Sequence, residues 1–191
     1  MKLYVVFQLL IVLIFVSTCL CQVNEDLIFT DKDTFLNLRC GMSKEEVEKA
    51  VNVKLKYNEK TRRYSLNDYV YHDMPSMMYF KFKQDKLISS FIYPWINNKN
   101  TSDMINDFFR IKKILEDEYG EYYYNGTSWK AKIENPTLED YVGALEHENV
   151  DFHFIWRTNK MDVDYMLYKD ASDPLMPYNM LIHFLCDSNP R

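Results

Sequence analysis

Apolar residues recur along this chain with two different periods, and the changes of period mark out its elements. After Lys2 comes an unbroken greasy stretch, Leu3 to Val16, relieved only by Gln8. From Ser43 the spacing becomes helical, with Val47, Ala50 and Val51 on one face. Ser43 followed three residues later by Glu46 predicts a capping box, each side chain accepting from the other's backbone N–H. Met42 and Val47 hold the two positions of a hydrophobic staple, and Gly41 leaves the chain free to turn before the cap. The period then drops to two. "RRYSLNDYVYHDM" and "SMMYFKFK" read as strands, the second with Met78, Phe80 and Phe82 inward, and "KLISSFIYPW" returns after a turn at Gln84-Asp85. A register pairing Phe82 with Leu87 and Met78 with Phe91 keeps the apolar residues together.

The alternation repeats in the second half. "NNKNTSD" is a loop, and a helix from Ser102 to Tyr119 carries Met104, Phe108, Ile111, Leu115 and Tyr119 on one face, closed by Gly120. "EYYYNGTSWKAKI" predicts strand with a turn near Asn125-Gly126, and Thr137 can cap a short helix in "NPTLEDYVGALEHEN". Three strands finish the chain. Their inward residues are Val150, Phe152, Phe154 and Trp156, then Met161, Val163, Tyr165 and Leu167, then Tyr178, Met180, Ile182, Phe184 and Cys186. The expected class is α+β, antiparallel sheet with helices on one face. The pattern splits into two helix-plus-strand units, residues 22–98 and 99–191, which stand in tandem or share one continuous sheet.

Composition sharpens this picture at three points. Aromatic residues reach 16%, with 15 Tyr and 12 Phe, which suits sheets with broad aromatic faces. Only 4 Gly are present, too few for a glycine-rich phosphate loop. The net charge of −5 argues against a nucleic-acid partner, which demands a basic face.

The opening stretch has the layout of a secretory signal, residues 1–21, with Cys19 and Cys21 at −3 and −1 of a cleavage site. Second in order, "VSTC" resembles a lipobox ending at Cys19, although Thr18 stands where Gly, Ala or Ser is preferred. Third, Leu3 to Leu20 is an uncleaved anchor. All three readings put the remainder outside the cytosol, secreted, periplasmic or held at the cell envelope. Any membrane contact then runs through the leader or its lipid. Loss of residues 1–21 removes Lys2 and takes the charge to −6.

"GMSKEEVEKAV" followed by "MMYFKFKQDKLISSFIY" resembles the SmpA/OmlA family of small outer-membrane assembly lipoproteins, and more broadly the β-lactamase-inhibitor-like fold, over about residues 36–93. The resemblance implies a non-catalytic exported module, and by the second likeness an inhibitor of an extracellular enzyme.

Candidate chemistry is thin. His72, His147, His153 and His183 show no H-E-x-x-H spacing. If Trp156 pairs with Met161 across Thr158-Asn159, His153 faces Asp164, with Asp151, Asp162 and His183 on the same outward side. That is either a weak metal site or a solvated sheet face. Cys40, just before a helix, could be an activated nucleophile. The competing reading pairs Cys40 with Cys186, the two cysteines left after cleavage at Cys21, as an oxidising compartment favours. The run "EDEYGEYYYNGTSW" offers Tyr122, Tyr123, Tyr124 and Trp129 either as contact aromatics or as sheet core. Asn100 and Asn125 head N-glycosylation sequons, should the source be eukaryotic. No catalytic set, metal or cofactor is assigned. The expected function is an exported non-catalytic binding or protein-interaction module whose partner is another exported or envelope protein. The alternatives are a small secreted enzyme with a scattered site, or an enzyme inhibitor.

Overall fold

Ser43 caps a helix by the reciprocal bonds its spacing predicts. Glu46 N–H donates to Ser43 Oγ at 3.2 Å and Ser43 N–H donates to Glu46 Oε2 at 2.7 Å. The computed structural model describes residues 34–96, 99–130, 133–170, 172 and 177–186. The leader, residues 1–21 with Cys19, and most of the polar lead-in lie outside them. The capped helix, α1, spans Lys44–Val51 and ends at Asn52 in the left-handed region (φ 53°). Its buried residues differ from expectation. Val47 is enclosed, but Ala50 is exposed and Glu48 is buried in its place (5% exposed). The chain returning after α1 explains this. The Glu48 carboxylate accepts from Leu55 N–H at 3.0 Å, Lys54 Nζ at 2.7 Å and Lys44 Nζ at 3.0 Å, so the burial of its charge is fully compensated.

Among the described residues, nine strands form one antiparallel sheet. They are β1 (Lys56–Asn58), β2 (Arg63–Tyr71), β3 (Met74–Lys83), β4 (Lys86–Pro94), β5 (Tyr124–Asn125), β6 (Ser128–Trp129), β7 (Val150–Arg157), β8 (Met161–Lys169) and β9 (Tyr178–Cys186). The order is β1-β2-β3-β4-β9-β8-β7-β5, with β6 also on β7. Strands from both stretches of the chain thus share a continuous sheet, joined where β4 meets β9.

The long helix α2 (Thr101–Tyr119) buries all five residues of its expected stripe. Phe108 packs on Phe152 at 5.2 Å and Tyr165 at 4.3 Å, and the Tyr165 hydroxyl donates to Phe108 O at 3.1 Å. From α3 (Leu138–Glu146), capped by Thr137, Tyr141 reaches the same Phe152 at 5.4 Å. Each such aromatic, fully buried, is worth about 1.5–3 kcal/mol of transfer free energy.

Two registers depart from the sequence expectation, with opposite consequences. In the β7–β8 hairpin Trp156 pairs with Val163 rather than Met161. A slip of two preserves which face each residue occupies, so the inward set is unchanged. In the β3–β4 hairpin Phe82 does pair with Leu87, but Met78 pairs with Ile92 rather than Phe91. A bulge at Ile88 adds one residue to β4 and turns Phe91 to the outward face. The stretch read as one strand from Arg62 to Met74 is broken at His72-Asp73, a two-residue turn with φ of 44° and 67°. Asx and His in place of Gly hid it.

The seam between β4 and β9 is short. It pairs Ser89 to Ile92 with Leu185 to Ile182 and stops there, although β9 continues to Tyr178 on its β8 side. Pro94 supplies the cause. Trp95 N–H donates to Pro75 O on β3, so by alternation position 94 faces β9. Proline has no N–H to give. At the other end of the seam, Cys40 and Cys186 form a disulfide with Cα atoms 5.5 Å apart. Gly41 N–H donates to Leu87 O and Leu87 N–H to Met42 O, which seats the segment before α1 against the start of β4. The bond spans 146 residues, a closure worth roughly 4–5 kcal/mol in the chain-entropy model.

Ser43→Ala should cost about 1 kcal/mol of stability, read as a lower denaturant midpoint at unchanged slope. Denaturation without reductant should leave neither Cys40 nor Cys186 open to alkylation, and both should label after reduction. The Cys40→Ser, Cys186→Ser pair should melt well below the parent. Glu48 carries a pH signature. Hydrogen bonds from Lys54, Lys44 and Leu55 lower its carboxyl from 4.5 to about 2. A lowered folded pKa stabilises the fold above 4.5, and that contribution is lost as pH falls towards 2. The melting-temperature gap between parent and Glu48→Gln should therefore narrow across that window.

Candidate functional site

The outward face of the sheet collects rings that the bulge and the short seam place together. With Phe91 turned outward, its ring stacks on His183 at 4.1 Å, and the Arg63 guanidinium lies over it at 4.5 Å. Tyr79 and Tyr93 meet edge-on at 5.6 Å beside this stack. Where β4 and β9 cease to pair, a groove of about 400 Å³ opens. Tyr93 and Pro94 at the end of β4, with Trp95 just beyond it, form one wall, and Tyr178 and Met180 of β9 the other. Arg63, Met77 and Tyr79 reach it from β2 and β3. Trp95 keeps 53% of its surface exposed, an unusual disposition for the largest apolar side chain.

The electrostatics of this groove are simple. Arg63 is the one charged residue lining it, and no carboxylate pairs with Arg63 among the described residues. The other lining groups that can hydrogen-bond are phenol, hydroxyl, indole, carboxamide and backbone. Carboxylates with lowered pKa are spent elsewhere. Glu46 and Asp140 serve helix caps, and Asp107, although burial opposes it, is held low by Lys99 and Arg110. Glu118 is pushed up by burial, but it lies beside Tyr119 at the end of α2.

The outward histidines settle differently from the sequence expectation. With the hairpin slipped by two, His153 pairs with Met166, and Asp164 lies across from His183 instead, Nδ1 to Oδ2 3.6 Å. Asp162 is taken by Arg157 through two hydrogen bonds of 2.9 and 3.2 Å. No group of three metal-ligating side chains converges among the described residues.

The four aromatics of "EYYYNGTSW" divide. Tyr122 packs on Phe154 at 5.2 Å, and Trp129 on Tyr141 at 5.2 Å, both against the core. Tyr123 and Tyr124 stay out, 67% and 48% exposed, with Arg157 over the Tyr123 ring at 4.4 Å and Tyr124 lying over Gly126. Asn100 is the N-cap of α2, accepting from Asp103 N–H at 2.8 Å, while exposed Asn125 accepts from Thr127 N–H at 3.0 Å. Cys40, in the disulfide, presents no thiol.

Sequence reasoning missed the groove. The odd spacing of Leu87 and Ile92, both buried, signals the bulge beside it, since strict alternation cannot produce that spacing, but it does not signal the groove itself.

No family model, no curated protein and no solved structure matches the chain, and nothing in those comparisons identifies the SmpA/OmlA family or the β-lactamase-inhibitor-like fold.

Proposed function

We propose that this protein is a non-catalytic binding module that works outside the cytosol and holds its ligand or exported partner in the groove between β4 and β9. The groove carries the reading. It is concave, walled by aromatic rings, of a volume usual for ligand sites, and supplied with few polar groups. Rigid rings on a sheet give contact area at little entropic cost, a disposition suited to recognition. The described residues lining the groove are chiefly rings and neutral polar groups, a composition that suits binding. The extracytoplasmic part of the reading rests on the leader and on the Cys40–Cys186 bond, since disulfides persist where the surroundings oxidise. Among the described residues no helix is long and apolar enough to cross a membrane.

The test is retention by the immobilised protein from the exported fraction of its own source cells, separated into macromolecular and small-molecule pools. The parent should retain a component that the Tyr93→Ala, Trp95→Ala variant loses, with the two proteins melting alike. Equal retention by parent and variant would remove the groove from the function.

A further inference from the structure

The groove's ligand class can be narrowed from its one charge, a step that rests on the binding reading above. We infer that the groove takes a small ring-bearing carboxylate, its ring against Trp95 and Tyr93 and its anion at Arg63. Three observations lead there. The first is the state of Arg63. Its guanidinium carbon lies 4.5 Å from the centre of the Phe91 ring, and among the described residues no carboxylate pairs with it. Guanidinium donors without a carboxylate partner remain available to a ligand, and their fork matches a carboxylate in two parallel bonds.

The second is the composition of the walls. The chain has 28 acidic residues, yet none of the described residues lining this groove is acidic, so the lining they form does not oppose an incoming anion. The third is size. About 400 Å³ is the scale of one small organic molecule, whereas a stable protein partner needs a footprint of roughly 800 Å² on each side. The half-exposed Trp95 and the edge-on pair Tyr79 and Tyr93 supply flat and edge contacts for a ring.

Three probes decide it on the full oxidised protein, followed by tryptophan fluorescence and by calorimetry. They are 2-naphthoate, its neutral amide 2-naphthamide, and cyclohexanecarboxylate, which keeps the anion without the aromatic ring. Naphthoate should bind about tenfold more tightly than naphthamide, the worth of one charge-assisted hydrogen bond. It should also bind more tightly than cyclohexanecarboxylate. Arg63→Gln should bring naphthoate down to the affinity of naphthamide and leave naphthamide unchanged. Arg63→Lys, which keeps the charge, should retain part of the preference and guards against a merely misfolded variant. Trp95→Ala should weaken both ring probes.

Equal binding of naphthoate and naphthamide, both lost in Trp95→Ala, would overturn the anion assignment and leave the groove as a binding site. A naphthoate preference that survives Arg63→Gln would place the anion elsewhere and overturn it too. Failure of every probe would end the inference, while the retention experiment judges the binding reading separately.

Discussion

Four residue pairs, Ser89 to Ile92 against Leu185 to Ile182, hold the two halves of the sheet together. Every other β pairing joins strands within one stretch of the chain: β1 to β4 pair in sequence order, and β7 to β9 form a meander. The seam is therefore where the non-local cost of folding concentrates, because its partners are about ninety residues apart and loop closure must precede their contacts. Its two ends are treated in opposite ways. Beyond Leu185 the disulfide ties Cys186 of β9 to Cys40, in the segment that hydrogen-bonds Leu87 at the start of β4. Beyond Ile92, Pro94 withholds the donor that the next pair needs, and the seam ends. A sheet fastened at one end and released at the other leaves a wedge between β4 and β9, and the groove occupies that wedge.

The bulge at Ile88 complements this arrangement. Without it, Phe91 would point inward and Ile92 outward, exchanging an aromatic for an aliphatic on the face where Arg63 and His183 lie. With it, Phe91 becomes the floor on which the guanidinium and the imidazole rest. Ser89 and Ser90, both buried, occupy the irregular stretch where larger residues would crowd. A single inserted residue thus decides both the inward core of β4 and the outward surface beside the groove. That is why one-residue slips matter so much more than two-residue slips in a sheet.

The fold was legible wherever the determining contacts are local or strictly periodic. Ser43 and Glu46 announce α1, the stripe from Met104 to Tyr119 announces α2, Thr137 announces α3, and alternation identifies the inward residues of β7, β8 and most of β9. What stayed hidden depends on neighbours remote in sequence. Glu48 reads as a solvated helix residue until Lys54 and Leu55 are folded back onto it. His72-Asp73 reads as strand because its left-handed turn lacks glycine or asparagine. Pro94 reads as an ordinary strand end until β9 is known to lie beside it. The groove was the least legible feature, since its walls come from β2, β3, β4 and β9, and no spacing within one segment encodes it. The visible cluster "EYYYNGTSW" attracted attention because its rings are adjacent in sequence, yet two of the four turn into the core.

An acidic protein with an anion at Arg63 is electrostatically self-consistent once distance is considered. The net charge of −5, or −6 without the leader, is distributed over the whole surface, and at physiological salt the screening length is about 8 Å. Beyond that distance the surface carboxylates contribute little to the energy of a bound anion. Closer in, the described residues lining the groove present Arg63 and no opposing acid. The Phe91 ring beside the guanidinium displaces part of its water, so a paired anion is less screened there than at a free surface arginine. The long-range field therefore governs how fast an anion approaches at low salt, slowing it, while the local geometry governs how tightly it stays. Addition of salt should accelerate association by relieving the repulsion and weaken the contact itself only modestly. That combination is the reverse of the pattern for a basic surface, where salt slows association and weakens binding together.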